Sequence, residues 1–130
     1  MTESNQIYKC ELCGNVTEVL HTGAGELVCC GVPMILQTEK TSEEGNEKHL
    51  PVIESLAEGA GVRVKVGEVP HPMEEAHYIE WIEIKTANGK IERKHLNPGE
   101  SADMKTLTNE EIVEAREYCN VHGLWKKVIG

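Results

Sequence analysis

Near the end of the chain, Cys119-Asn-Val-His122-Gly-Leu-Trp125 sets a sulfur donor and an imidazole donor three residues apart, followed by a glycine and an aromatic that can be buried. The other four cysteines all lie at or before Cys30, so Cys119 stands alone in the rest of the sequence. A thiol of this kind is open to three readings: metal ligand, nucleophile, or small core residue, since free cysteine is among the most buried residue types. His49, His71, His77, His95 and His122 share the same part of the chain. His71 is flanked by Pro70 and Pro72, which hold the backbone extended and restrict where its ring can go. With Cys119 these histidines are candidates for one shared metal site, and spacing alone leaves open which of them converge.

Cys10-Glu-Leu-Cys13 followed by Cys29-Cys30 is the strongest short motif. A C-x-x-C turn and a second thiol pair farther on have the spacing of a tetrahedral four-thiolate centre. Gly14 and Gly31, directly after the two pairs, permit the tight backbone that such knuckles need. Adjacent cysteines would point to opposite faces of a regular strand, so joint ligation by Cys29 and Cys30 requires a local kink. Zinc and iron both accept four thiolates, and the motif does not choose between them. His21, in the glycine-containing loop between the pairs, reads as a surface residue.

Composition narrows the class. The chain has 130 residues, 39% of them hydrophobic, with no phenylalanine, which argues against one large core. A formal charge of -9, with no run of Lys and Arg longer than the two residues of Lys126-Lys127, argues against nucleic-acid and anionic-membrane partners. No apolar run approaches membrane-spanning length, and the first residues lack the basic and apolar regions of a signal peptide. A cytoplasmic setting is the expectation, where an odd count of five cysteines fits metal ligation better than disulfides.

The elements that must position these donors read as β-structure. Thr38 to Asn46 is polar without periodicity and reads as a linker over residues 38–46, between a small metal domain at 1–37 and a second domain at 47–130. Val62, Val64 and Val66 alternate with Arg63 and Lys65, the pattern of a half-buried strand, and Gly59-Ala-Gly61 separates them from Pro51-Val-Ile-Glu54 as a hairpin. His77 to Ile84 is rich in β-branched and aromatic residues and runs toward Asn88-Gly89, a strong hairpin signal. Pro98-Gly99 marks another turn. Short strands at this spacing predict a small sandwich or barrel. Thr108-Asn-Glu-Glu111 has the form of a capping box, predicting a turn of helix that leads into a strand through Tyr118.

Longer blocks carry a resemblance. Cys10-x-x-Cys13…Cys29-Cys30, Glu47-Lys48-His49-x-Pro51-Val-Ile-Glu54, His71-Pro-Met-Glu-Glu-x-His77-Tyr-Ile-x-Trp81 and Glu117-Tyr-Cys119-Asn-x-His122-Gly-x-Trp125-Lys126, in this order, resemble desulfoferrodoxin, the two-iron superoxide reductase family. The match spans nearly the whole chain and is weakest between Ile91 and Asn109. It implies a mainly β protein: a rubredoxin- or desulforedoxin-like metal domain followed by an immunoglobulin-like β-sandwich. It implies two iron ions per chain, one held by Cys10, Cys13, Cys29 and Cys30. The other would have His49, His71, His77 and His122 in its plane and Cys119 as axial ligand; His21 and His95 match no ligand position.

The implied reaction adds one electron and two protons to superoxide, giving hydrogen peroxide without releasing dioxygen. Neutral imidazoles and one thiolate would leave ferrous iron near +1 with a vacant position, so that an anion can approach despite the overall negative charge. The axial thiolate would favour electron donation, as in haem enzymes. By resemblance, Lys48 attracts superoxide and orients a proton-donating water, and Glu47 is the carboxylate that closes the vacancy on ferric iron. The resemblance also implies a homodimer through the N-terminal domains and a rubredoxin-like electron donor. Two other classes compete: a two-iron electron-transfer protein without catalysis, and a zinc-stabilised binding module.

Overall fold

A computed structural model describes residues 1–41, 46–56, 61–68, 71–108 and 110–129, with Asn46 and Glu47 described by their backbone alone. The chain divides into two compact units, Met1–Thr38 and Glu39–Gly130. Part of the polar stretch expected as linker (residues 42–45), Gly59 and Ala60 of the expected hairpin loop, and Pro70 lie outside the described residues.

In the first unit, β1 (Ile7–Lys9) pairs with β2 (Val16–Glu18) on one side and β5 (Ile35–Leu36) on the other, all antiparallel. β3 (Val28–Cys29) and β4 (Val32–Pro33) form a separate hairpin. The predicted kink is the tip of that hairpin: Cys30 and Gly31 both have positive φ (55° and 75°), the requirement of a two-residue primed turn. Cys29 thus ends a strand while Cys30 occupies the turn, and the two thiols reach the same side. Buried apolar side chains here are few (Ile7, Cys10 and Val19), while Leu20, Val28, Ile35 and Leu36 are exposed. A core this small gains much of its order from whatever the cysteines bind.

The second unit is a sandwich of two antiparallel sheets. One has the order β10-β7-β6, from Asp103–Thr106, Val62–Val66 and Pro51–Ser55. The other has the order β12-β11-β8-β9, from Gly123–Val128, Ile112–Cys119, Ile79–Thr86 and Ile91–His95. Seven strands in a three-plus-four arrangement give the immunoglobulin-like architecture. Alternation places Val64 and Val66 of one sheet against Ile82, Ile84 and Ala115 of the other, with Met104, Leu96 and Ile79 completing the core. β8 and β9 turn at Asn88-Gly89, where Gly89 has φ of 89°.

The helix predicted to open at Thr108 does not run through Ile112, which begins a strand; Asn109 of the capping pattern lies outside the described residues. The Thr108 hydroxyl accepts from the Glu110 N–H (3.2 Å), a local turn, and the chain enters β11 at Ile112. The capping pattern loses to sheet pairing: β11 lies between β8 and β12 and buries Ile112 and Ala115, with a bulge between Ile112 and Glu114. The one described α-helical element is α1 (Asn46–His49), a single turn before β6.

On the face of β8 and β11 away from the core, Trp81 stacks on Tyr118 (4.7 Å, 7°) and Glu83 is buried. The Glu83 carboxylate accepts from Trp81 Nε1 (2.9 Å), from Arg93 and from Arg116 (2.8 Å to Nη2). Arg116 also donates to Glu39 (3.1 Å). Lys40 continues this attachment: its N–H donates to the Leu124 carbonyl (2.9 Å), and the Lys126 N–H donates to its own (2.9 Å).

Candidate metal centres

The four cysteines of the first unit meet at the ends of its turns. Their sulfurs all lie within 4.8 Å of one another, with Cys13 and Cys29 3.5 Å apart. The Cys10 carbonyl accepts from the Gly14 N–H (2.9 Å), closing the first knuckle. Hydrogen bonding from the Cys13 N–H holds the Cys10 thiol down at about 7, whereas the neighbouring Cys13 thiol pushes Cys30 up to about 12. Four thiols at this spacing cannot all ionise by themselves, and a cation bound among them removes the conflict. Among the described residues this donor set fits a tetrahedral thiolate-binding metal.

The second constellation lies at one end of the sandwich. His49 closes α1 just before β6, and His71 follows β7. His77 precedes β8, Cys119 ends β11, and His122 sits in the turn into β12. Cys119 pairs with both Ile79 and Gly123, so these strand ends are neighbours. Gly123 (φ 82°) lets the three residues Asn120 to His122 turn the chain back on itself.

The four rings form a closed cycle. Centroids of His49 and His71 are 4.5 Å apart; His71–His77, His77–His122 and His122–His49 are each 4.8 Å apart. Donor atoms of His49, His71, His122 and Cys119 all lie within 4.8 Å of one another; His77 stands outside that tighter group but completes the cycle between His71 and His122. The Cys119 sulfur is 3.5 Å from His71 Nε2 and accepts from the His122 backbone N–H (3.4 Å).

Outer contacts at Nδ1 leave Nε2 of His49 and of His71 free to face the site. The Nδ1–H of His49 donates to Glu117 Oε2 (3.1 Å), and that of His71 donates to the Pro72 carbonyl (2.7 Å). Each ring therefore keeps its Nε2 lone pair, the arrangement in which outer hydrogen bonds orient metal-binding imidazoles. His49 also stacks on Trp125 (4.6 Å, 8°), whose Nε1–H donates to the His122 carbonyl (3.2 Å). Lys40 Nζ donates to that same carbonyl (2.9 Å).

Three observations show that these residues fit a cation. His49 Nε2 and His122 Nδ1 are 3.0 Å apart, close enough for one cation to take both nitrogens. Burial holds His49 at about 3 and His71 at about 4, and lowers His122, so the rings stay neutral at ordinary pH. His77 Nε2 and Glu117 Oε1 are buried acceptors without a hydrogen-bond partner among the described residues. Burial also raises the Cys119 thiol and lifts the Glu117 carboxyl well above the carboxylate range. A metal ion answers all of these needs together.

Lys48 is exposed on α1, and its ammonium opposes protonation of His71 and His122. The Glu47 side chain lies outside the described residues. His21 and His95 are exposed and join neither constellation. Sequence reasoning gave no role to Glu117, Asn120 or Lys40. Glu117 had a usable signal, because a residue two before Cys119 in a strand shares its face. Lys40 had none, since its approach to β12 is purely tertiary.

The family model described as desulfoferrodoxin, N-terminal domain, matches residues 2–36, and that described as desulfoferrodoxin matches residues 41–128. A desulfoferrodoxin homolog of Archaeoglobus fulgidus is 56% identical over 126 residues, covering 97% of this chain and 98% of that one. The desulfoferrodoxin of Syntrophotalea carbinolica is 55% identical, covering 96% and 97%. The crystal structure of the superoxide reductase from Treponema pallidum superposes with a TM-score of 0.74 at 31% identity, covering 94% of this chain and 95% of that one. With both of its units matched in order and relatives more than half identical along its length, the chain belongs to the desulfoferrodoxin family.

Proposed function

We propose that the protein is a superoxide reductase, converting superoxide, one electron and two protons into hydrogen peroxide with no release of dioxygen. The observation that carries this reading is the closed cycle of four imidazoles with a buried cysteine sulfur against it. His49, His71, His77, His122 and Cys119 are the ligands of one iron, and Cys10, Cys13, Cys29 and Cys30 those of the other. Held by these imidazoles and the thiolate, ferrous iron would supply the electron and the attraction for a small anion.

The chain's own residues do the rest. Neutral histidines add no charge, so the site presents the cation's charge undiminished except by the thiolate. The His122 N–H aimed at sulfur (3.4 Å) stabilises the thiolate form that burial alone disfavours. Trp125, buried and stacked on His49, keeps water from that side of the ring. Lys48 draws superoxide toward the site and orients the water that delivers a proton, while Glu47, its neighbour on α1, serves the oxidised state as a carboxylate ligand.

Residues 1–37 act as the domain of the four-cysteine iron and 47–130 as that of the reductase, joined by 38–46. Electrons come from a rubredoxin-like protein. The exposed Val28, Ile35 and Leu36 support homodimerisation through the first unit, and five free cysteines support a cytoplasmic location. The test is metal analysis with anaerobic visible spectroscopy, followed by superoxide consumption with peroxide and dioxygen both counted. Two irons and stoichiometric peroxide without dioxygen are expected. Zinc at the histidine site, iron without turnover, or dioxygen evolution would overturn the reading.

A further inference from the structure

Asn120 lies between Cys119 and His122, and its amide grips the backbone on both sides of His77. Its Oδ1 accepts from the Tyr78 N–H (2.9 Å), and its Nδ2 donates to the Ala76 carbonyl (3.1 Å). Its backbone N–H donates to the Tyr78 carbonyl (3.2 Å). His77 is itself closed against Glu74: each backbone N–H donates to the other's carbonyl, both at 2.9 Å. Backbone groups from Ala76 to Tyr78 thus find their partners on Glu74 and Asn120.

The other three rings have supports of their own. Glu117 and Trp125 hold His49, the Pro72 carbonyl holds His71, and Lys40 with Trp125 holds the backbone of His122. His77 Nε2 is buried without a hydrogen-bond partner among the described residues, so that nitrogen has no hydrogen bond to locate it. We propose that Asn120 is a positioning residue that fixes His77 in the imidazole cycle by tying residues 76–78 to the turn bearing Cys119 and His122. This rests on the reading of His77 as a metal ligand.

The amide is suited to this task because it offers an acceptor and donors at the spacing of two backbone groups. The Tyr78 N–H requires the oxygen on one side and the Ala76 carbonyl requires the nitrogen on the other, which sets the amide's orientation. An aspartate keeps the first bond and turns the second into a clash of two acceptors.

The test follows loss of iron(II) from the full-length protein under excess chelator, with the visible absorption of the four-cysteine centre as internal reference. Asn120→Ala should release the second iron about tenfold faster, the scale of contacts that orient ligands. Asn120→Asp should do likewise, which covers the case of an alanine variant that folds poorly. The ferric spectrum of each should shift toward that of His77→Ala. Adding Asn120→Ala to His77→Ala should accelerate release no further, while adding it to His71→Ala should multiply the effects. Unchanged release in both Asn120 variants, or full multiplication with His77→Ala, would overturn the role of Asn120 while leaving His77 a ligand. Unchanged release in His77→Ala itself would overturn the ligand assignment, and the Asn120 proposal with it.

Discussion

The two constellations differ in how their donors are brought together. Cys10 and Cys29 are 19 positions apart, and all four thiols lie in or beside short turns, one of them the hairpin tip at Cys30-Gly31. His49 and His122 are 73 positions apart, and their cycle closes only because strands of two sheets begin and end at the same end of a sandwich. In the first unit, local backbone conformation gathers the thiols, and the described residues offer little core besides them. In the second, the donors lie at one end of an apolar core and are fastened by Glu117, Trp125, Asn120 and Lys40. Metal binding in the first unit should therefore be coupled to folding, and in the second to preorganisation.

Changes confined to one centre test that separation. The largest effect is expected from Cys119→Ser, which removes the sulfur on which the His71 and His122 contacts converge. Superoxide reduction should fall at least about a hundredfold, beyond the range for residues that merely orient ligands. The sulfur-to-iron absorption of the second centre should vanish while that of the four-cysteine centre persists. Loss of both bands would mean that the units are not independent.

Glu117→Gln comes next. It keeps an acceptor for His49 but removes a buried carboxylate with an unpartnered oxygen. Iron retention at the second centre should weaken about tenfold. The metal-free protein should become more stable by on the order of 1 kcal/mol near neutral pH, measured by urea titration. A destabilised apoprotein would show that Glu117 is chiefly structural rather than a group held in readiness for the cation.

Lys48→Ala should slow capture of superoxide by about tenfold, the lower end of electrostatic steering, and reduce its dependence on ionic strength. Pulse radiolysis at two salt concentrations measures both. An unchanged rate constant removes Lys48 from the mechanism.

A last test is the pH dependence of the metal-free chain. His49 and His71 are held at about 3 and about 4, below the 6.5 of an unfolded histidine. Between these values the unfolded chain binds more protons than the folded one, so the histidine contribution to stability is lost as pH falls from 6.5 toward 4. Glu117, with its carboxyl raised, works in the opposite sense and weakens the folded apoprotein as pH rises above 4.5. Thermal melting at successive pH values should therefore show a loss on acidification that is steeper in Glu117→Gln, where the opposing group is gone.

Much of this was legible in the chain. The thiol spacing around Cys10 and Cys29 pointed to four thiols that do meet, and the alternation at Val62, Val64 and Val66 and the Asn88-Gly89 turn located real strands and a real hairpin. Local signals of this kind survive because the contacts involved are only a few residues long. The capping pattern at Thr108 misled for the complementary reason: it is a local preference, and pairing of β11 with two neighbours outweighed it.

By itself, then, the sequence determined which side chains are available for ligation, the local geometry of the four-thiol turns, and the strand periodicity of the second unit. Only the tertiary structure decided which histidines converge and which nitrogen each turns inward. It also decided that Glu117 is sealed from water, that Asn120 brackets His77, and that Lys40 reaches the His122 carbonyl. The physical reason is distance along the chain: a turn is written in neighbouring residues, whereas a ring of side chains from several strand ends exists only once two sheets have packed.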